Sequence, residues 1–412
     1  MSTTTTTTYI ADQQRKFIIP QENVTFQTLI GLMSINEEKN RRCSNLDMVI
    51  HQLDFDFYYE LLPTIAQWAS DHTRLSNSIK PLHAGATARV TYTAAQARYI
   101  LANAFFLNTT KGYGNIDLTI LYNSLFDNLA MERIRCLIEY FRCSSHQNGS
   151  DDQREISIER YLYADEQPDW EKQTIAINAS KVNVFVGRME DATEAQGFVD
   201  FANKQIHIHM IFPSATQEEI LFSCCPEALL AILACETLQP DEVVILRGCK
   251  RFVDYRGFDS ESFQFAGSYS GPNPGCIQDI LVMDACPGDY YTRPNIDHDL
   301  NKAWGAFAKA NDQIIVTGKW GCGAFGGDPV FKFLQQLCVA SIHVDKIKRL
   351  DYSVCGDNKL MNQLKDLALQ LETKSKTVAD VYQMMVKYGE SSALCSSVPN
   401  FSDYVNGWLN AV

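Results

Sequence analysis

The stretch "QIIVTGKWGCGAFGGDPVFKFLQQLCVASIH", residues 313 to 343, decides the fold class. It opens on "QIIV", apolar and β-branched, as a strand buried on both faces tends to be. Gly318, Gly321, Gly323, Gly326 and Gly327 follow within one short loop. From Pro329 the apolar residues recur at helical spacing. Strand, glycine loop and helix in that order are a building block of an α/β sheet. The same alternation runs through the second half of the chain. "TIAINAS" (174–180), "VNVFVG" (182–187), "EVVILRG" (242–248) and "DILVMDA" (279–285) read as further strands. "EEILFSCCPEALLAILACE" (218–236) and "DHDLNKAWGAFAKAN" (297–311) read as helices between them. The prediction is an α/β domain with a mostly central sheet flanked by helices, with ligands collected beyond the strand ends.

The first half reads differently. From about Val24 to Cys143 the chain is read as helices, including "AAQARYILANAFFLN" (94–108) and "SLFDNLAMERIRCLIEYFRC" (124–143). The polar segment "SSHQNGSDDQREIS" (144–157) reads as a loop and a boundary. The expected organisation is a disordered tail over 1–23, a helical accessory domain over 24–150 and an α/β domain over 151–412. The threonine tract at the start has no apolar core of a secretory signal.

Composition narrows the function. The chain has 412 residues, 46% hydrophobic and 21% charged, in the range of a globular protein. Its net charge of -13 argues against direct nucleic-acid binding, which needs a basic face. No apolar run has the length of a membrane span, so no membrane partner is expected. The 13 cysteines are irregularly spaced and read as free thiols.

Four motifs bear on chemistry, each beside a plainer structural reading. In "TQEEI", Thr216 and Glu219 have capping-box spacing, so Glu218 and Glu219 either start a helix or form an acid pair. The loop 318–328 is either a turn or a place where backbone amides reach a phosphate. "VDFANK" sets Asp200 and Asn203 at a strand end, where short polar residues also close turns. "DYRGFDSESFQF" (254–265) offers Tyr255, Phe258, Phe263 and Phe265 either as core or as a surface for a flat ring.

Taken together, "LANAFF" (101–106), "VDFANK" (199–204), "QEEI" (217–220), "LNKAWGAF" (300–307), "WGCGAFGGD" (320–328) and "CGDNKLM" (355–361) resemble the poly(ADP-ribose) glycohydrolase family. The resemblance implies a macrodomain-like catalytic domain, a mixed sheet flanked by helices, behind a helical region. It implies hydrolysis of ribose–ribose bonds in poly(ADP-ribose) chains on modified proteins, with no cofactor and no metal. Glu219 then matches the acid that protonates the leaving ribose oxygen, and Glu218 the residue that holds ribose hydroxyls. Asp200 and Asn203 match their supports. Met189, Glu190, Gln217 and Phe258 match ligand contacts. So does the loop Lys319, Trp320, Gly321, Cys322, Gly323, Ala324 and Phe325.

The sequence departs from the family where three glycines are expected. His207, Ile208 and His209 stand there, and "QIHIHMIF" alternates like a strand with Ile206, Ile208 and Met210 on one face. Phe258 replaces a tyrosine, Lys319 an asparagine and Cys355 an aromatic. Two functions therefore stay open: a glycohydrolase of reduced activity, or an impaired relative that binds poly(ADP-ribose). The long N-terminus of some relatives is missing, and "KIKRL" (346–350) is a poor nuclear signal. The expected location is the cytoplasm, with the nucleus as the alternative.

Overall fold

The computed structural model describes residues 43–411 except 75–78, 109–111, 124–126, 148, 165, 208–213, 272–276, 312 and 395–397. The helices of the first half are α1 (Ser44–His51), α2 (Leu62–Ser70), α3 (Ala94–Phe105), α4 (Thr119–Asn123) and α5 (Asn128–His146). Those of the second half are α6 (Gln217–Cys224), α7 (Leu230–Ala234), α8 (Arg293–Phe307) and α9 (Pro329–Ile342). α10 (Asn358–Thr373), α11 (Val378–Leu394) and α12 (Phe401–Asn410) close the chain.

The strands are β1 (Ala88–Thr93), β2 (Glu155–Leu162), β3 (Val182–Phe185), β4 (Gly197–Ala202) and β5 (Glu242–Lys250). They continue with β6 (Val253–Arg256), β7 (Gln264–Ser268), β8 (Ile277–Asp284), β9 (Gln313–Gly318) and β10 (Ile347–Ser353). Eight of them form one sheet in the order β1-β2-β5-β8-β4-β9-β10-β3, and β6 pairs with β7 separately. The run β8-β4-β9-β10-β3 is parallel, while β1, β2 and β5 join antiparallel. The mixed sheet flanked by helices is the predicted architecture. Central strands such as β9 are buried along nearly their whole length, which is why they read as unbroken apolar runs.

Three local readings need correction. The stretch read as wholly helical contains β1, whose "ARVTYT" forms the sheet's edge before Thr93 caps α3. "TIAINAS" is not a strand. Ala176 makes one isolated bridge to Thr377, and the Asn178 side chain accepts from the Ser180 N–H at 3.0 Å, turning the backbone. "EEILFSCCPEALLAILACE" is broken at Pro226, which cannot continue the helix, into α6, a 3-10 turn and α7.

None of the described cysteines forms a disulfide with another described residue. Among the described residues, no helix is long and apolar enough to cross a membrane.

Candidate active site

Parallel strands end on the same side, and here those ends build a cleft of about 570 Å³. Asn203 follows β4, Ala285 follows β8, Gly318 and Lys319 end β9, and Ser353 and Cys355 end β10, all lining it. Arg188 and Met189, just beyond β3, complete that rim. This is the place the α/β pattern predicts for a ligand.

The acids enter from two elements. β4 carries Asp200, fully buried, in register with Val282 of β8. Neither Asp200 oxygen has a hydrogen-bond partner among the described residues. A carboxylate in that position costs several kcal/mol unless it holds a proton. The first turn of α6 supplies the other two. Gln217 fastens this turn to β4, its Oε1 accepting from the Phe201 N–H at 2.8 Å and its Nε2 donating to the Val199 carbonyl at 3.0 Å. Gln217 thereby sets Glu218 and Glu219 beside Asp200. Glu218 Oε1 accepts from the His207 N–H at 2.7 Å. Glu219 Oε2 accepts from the Thr216 N–H at 2.9 Å and from its hydroxyl, while Glu219 Oε1 has no hydrogen bond among the described residues. The capping box is real, and the same glutamate lines the cleft.

The environment separates the three carboxyls. Burial, then the Glu219 charge, pushes Asp200 well above the usual carboxylate range. Burial, then Asp200 and Glu219, does the same to Glu218. Burial alone would raise Glu219 too, but His207, the Thr216 hydrogen bond and Arg133 outweigh it and hold Glu219 below its usual value. These influences favour the protonated form of Asp200 and Glu218 and the ionised form of Glu219.

The loop from Gly318 to Asp328 forms the opposite wall. Gly321 has φ +72°, and a Cβ there would lie 2.9 Å from the Ala285 Cβ and 3.0 Å from the Lys332 Cε. Only glycine passes that point without displacing its neighbours. The amides of Gly323, Ala324 and Phe325 have no protein acceptor among the described residues, and these three residues line the cleft. The N-terminus of α9 is not a free anion site, because Asp328 accepts from the Val330 and Phe331 N–H groups at 2.9 Å each. The Trp320 indole is buried and donates to the Met283 carbonyl at 3.0 Å, so it supports the loop.

Of the residues predicted for the site, Met189, Asn203, Gln217, Glu218, Glu219, Phe258 and Lys319 to Phe325 line the cleft. Asp200 sits behind it. Glu190 is turned aside, its carboxylate 3.6 Å from the Arg251 guanidinium. Of the four predicted aromatics only Phe258, 40% exposed, lines the cleft; Tyr255 and Phe263 are buried and stacked at 5.7 Å, and half-buried Phe265 packs against the core. Arg188, Phe201, Thr216, Asp259 and Ser260 also line the cleft and were not predicted. Thr216 reads from the sequence only as a helix cap; the others lie beside or near a predicted residue in sequence.

The strand reading of "QIHIHMIF" fails at its start. Gln205 to His207 form a turn, and His207 has φ +52°, the left-handed conformation that favours glycine. Its imidazole is absent from the cleft lining and packs against Phe222, ring centres 4.7 Å apart. Ile208, His209 and Met210 lie outside the described residues. Among the described residues one cluster has metal-ligand chemistry, Cys286, His298 and Asp299. Asp299 is already paired with the buried Lys332 ammonium, which a cation there would have to displace.

A mixed sheet whose parallel strands end at an acid-lined cleft with a glycine-rich rim, preceded by a helical region, is the architecture of a macrodomain-type protein. Comparison with known families agrees. Residues 167–362 match the model described as "Poly (ADP-ribose) glycohydrolase (PARG), Macro domain fold", and residues 52–160 match the helical domain of the same family. Between them these cover well over half of the chain, and the chain belongs to the poly(ADP-ribose) glycohydrolase family. It is 24% identical over 287 residues to poly(ADP-ribose) glycohydrolase 1 of Caenorhabditis elegans, covering 64% of this chain and 36% of that protein. It is 25% identical over 344 residues to poly(ADP-ribose) glycohydrolase 1 of Arabidopsis thaliana, covering 62% and 60%. The chain thus spans between about a third and three fifths of these relatives' length. A crystal structure of poly(ADP-ribose) glycohydrolase from Thermomonospora curvata aligns at 15% identity over 46% of this chain and 76% of that one. Its TM-score of 0.34 is too low to add to the topology above.

Proposed function

We propose that the chain hydrolyses the ribose–ribose glycosidic bond of poly(ADP-ribose) on modified proteins and releases ADP-ribose. The observation that carries this is the buried cluster Asp200, Glu218 and Glu219, with divided protonation, facing a loop of free amides. A diphosphate fits those amides, with Lys319 and Arg188 as the nearby cations of the lining. A flat base fits the exposed Phe258.

In this mechanism Glu219 gives its proton to the leaving ribose oxygen as the glycosidic C–O bond breaks. Water then adds to the oxocarbenium-like carbon and returns a proton to Glu219. Glu219 is ionised in the empty cleft, so it must gain its proton when substrate binds. Two phosphate charges entering a closed site raise the proton affinity of a nearby carboxylate. Glu218 holds ribose hydroxyls and, through the His207 N–H, the 203–207 turn. Asp200 and Asn203 support both.

A second reading has a specific observation behind it. Glu219 is held below its usual value, and a site whose acid stays ionised binds polymer without cutting it. Glu219→Gln and Glu218→Gln separate the two. For a glycohydrolase, Glu219→Gln lowers kcat by about 10²–10⁴ and keeps polymer binding. For a reader, the wild-type protein already releases nothing. The cytoplasm is proposed as the site of action. In support, "KIKRL" largely forms β10, where Ile347 and Leu350 are buried and Arg349 pairs with Asp351 and Glu194.

A further inference from the structure

We propose that Arg133, on α5 of the helical region, is a positioning residue that braces the two segments carrying the cleft glutamates and favours the ionised form of Glu219; this rests on the glycohydrolase reading above. Arg133 lies far from the motifs in sequence and is buried, 7% exposed. Its Nε donates to the Ser223 hydroxyl at 3.3 Å, and that hydroxyl donates to the Glu219 carbonyl at 2.7 Å. Its Nη2 lies 3.5 Å from His207 Nε2. The His207 N–H in turn holds Glu218 Oε1 at 2.7 Å. One guanidinium therefore reaches the Glu219 backbone through Ser223 and lies against the His207 ring, whose residue's N–H holds the Glu218 carboxyl, and its charge also acts on the Glu219 carboxylate.

The chemistry follows from what surrounds it. Arginine stays charged even when buried. Among the described residues, the ionisable groups facing Arg133 include Glu219 on α6 and Cys136 on α5, with His207 on the turn after β4. Those facing Glu219 are Asp200 on β4, its neighbour Glu218, His207 and Arg133. Arg133 is a permanent cation in that set, placed behind the glutamates and absent from the cleft lining. It stabilises the ionised Glu219 of the empty site and leaves the substrate's diphosphate to reverse that state.

The test compares wild type with Arg133→Met and Arg133→Lys. Methionine fills the space without charge, and replacing a buried ion by an apolar residue is often tolerated. For Arg133→Met the alkaline limb of the kcat/KM profile moves up by about one pH unit, the scale on which a neighbouring charge shifts a carboxyl. For Arg133→Lys it stays in place. A merely structural role lowers activity or Tm and leaves the limb unmoved, which overturns the proposal.

Calorimetry of ADP-ribose binding in buffers of different ionisation enthalpy gives a readout independent of turnover. Wild type takes up protons on binding and Arg133→Met takes up fewer; equal uptake overturns the proposal. If wild type binds ADP-ribose but cuts no polymer, the glycohydrolase reading fails and the calorimetry still decides the role of Arg133. If Arg133→Met does not fold, Ser223→Ala removes the link to the Glu219 carbonyl. It lowers kcat several-fold with KM within about two-fold, and an unchanged kcat overturns the link.

Discussion

Asp200 is the residue at which function and stability conflict. It sits in the middle of the sheet with no hydrogen bond to either oxygen among the described residues, and its carboxyl is pushed well above the ordinary 3.8 by burial and by Glu219. A group with a raised folded-state pKa favours folding at low pH and loses that contribution as pH rises toward its folded value. Asp200→Asn should therefore raise Tm, by an increment that widens as pH climbs from about 4, while activity falls. Thermal melts across pH check this, and a constant Tm difference would contradict it. The acids were legible in the sequence because they cluster in two short motifs. Arg133 was not, because its contact with them exists only after α5 packs against α6. His207 was half legible. Its poor fit to a glycine position was visible, but not that its backbone would take the left-handed conformation and its ring the core.

The glycine loop and α6 are the elements on which the cleft depends. Gly321→Ala puts a Cβ against Ala285 and Lys332 at a positive φ. The expected cost is about 1–3 kcal/mol in unfolding free energy, with a larger proportional loss of ADP-ribose affinity, read by denaturant melts and calorimetry. Thr216→Ala removes one partner of Glu219 and half of the capping box. It should cost about 1 kcal/mol and move the pH limb of activity upward, since the lost hydrogen bond favours the ionised carboxylate. Strands such as β5, β8 and β9 could be read directly, because burial on both faces leaves an unbroken apolar run. The edge strand β1 could not, since half-exposed "ARVTYT" abuts a longer helical pattern. Pro226 marked the break in the α6–α7 run, but long apolar periodicity masked it.

At the scale of the whole molecule, the helical region is part of the same structure as the sheet. β1 pairs with β2, and β2 covers the edge of β5. Arg160 of β2 is completely buried against Glu242 of β5 and also donates to the carbonyls of Leu82, Glu236 and Thr237. Arg160→Ala strands a buried carboxylate and should cost about 3–5 kcal/mol. A chain starting at residue 167 loses β1 and β2, bares the β5 edge and should be insoluble. A soluble, monomeric fragment with native circular dichroism would refute that dependence.

The central claim is that the acid cluster cuts polymer, and one measurement tests it most directly. Purified protein is incubated with poly(ADP-ribose), and released ADP-ribose is quantified beside the Glu219→Gln variant. The account predicts release by the wild type and a loss of about 10²–10⁴ in the variant, with polymer still bound by both. Polymer bound by the wild type with no ADP-ribose released would contradict it.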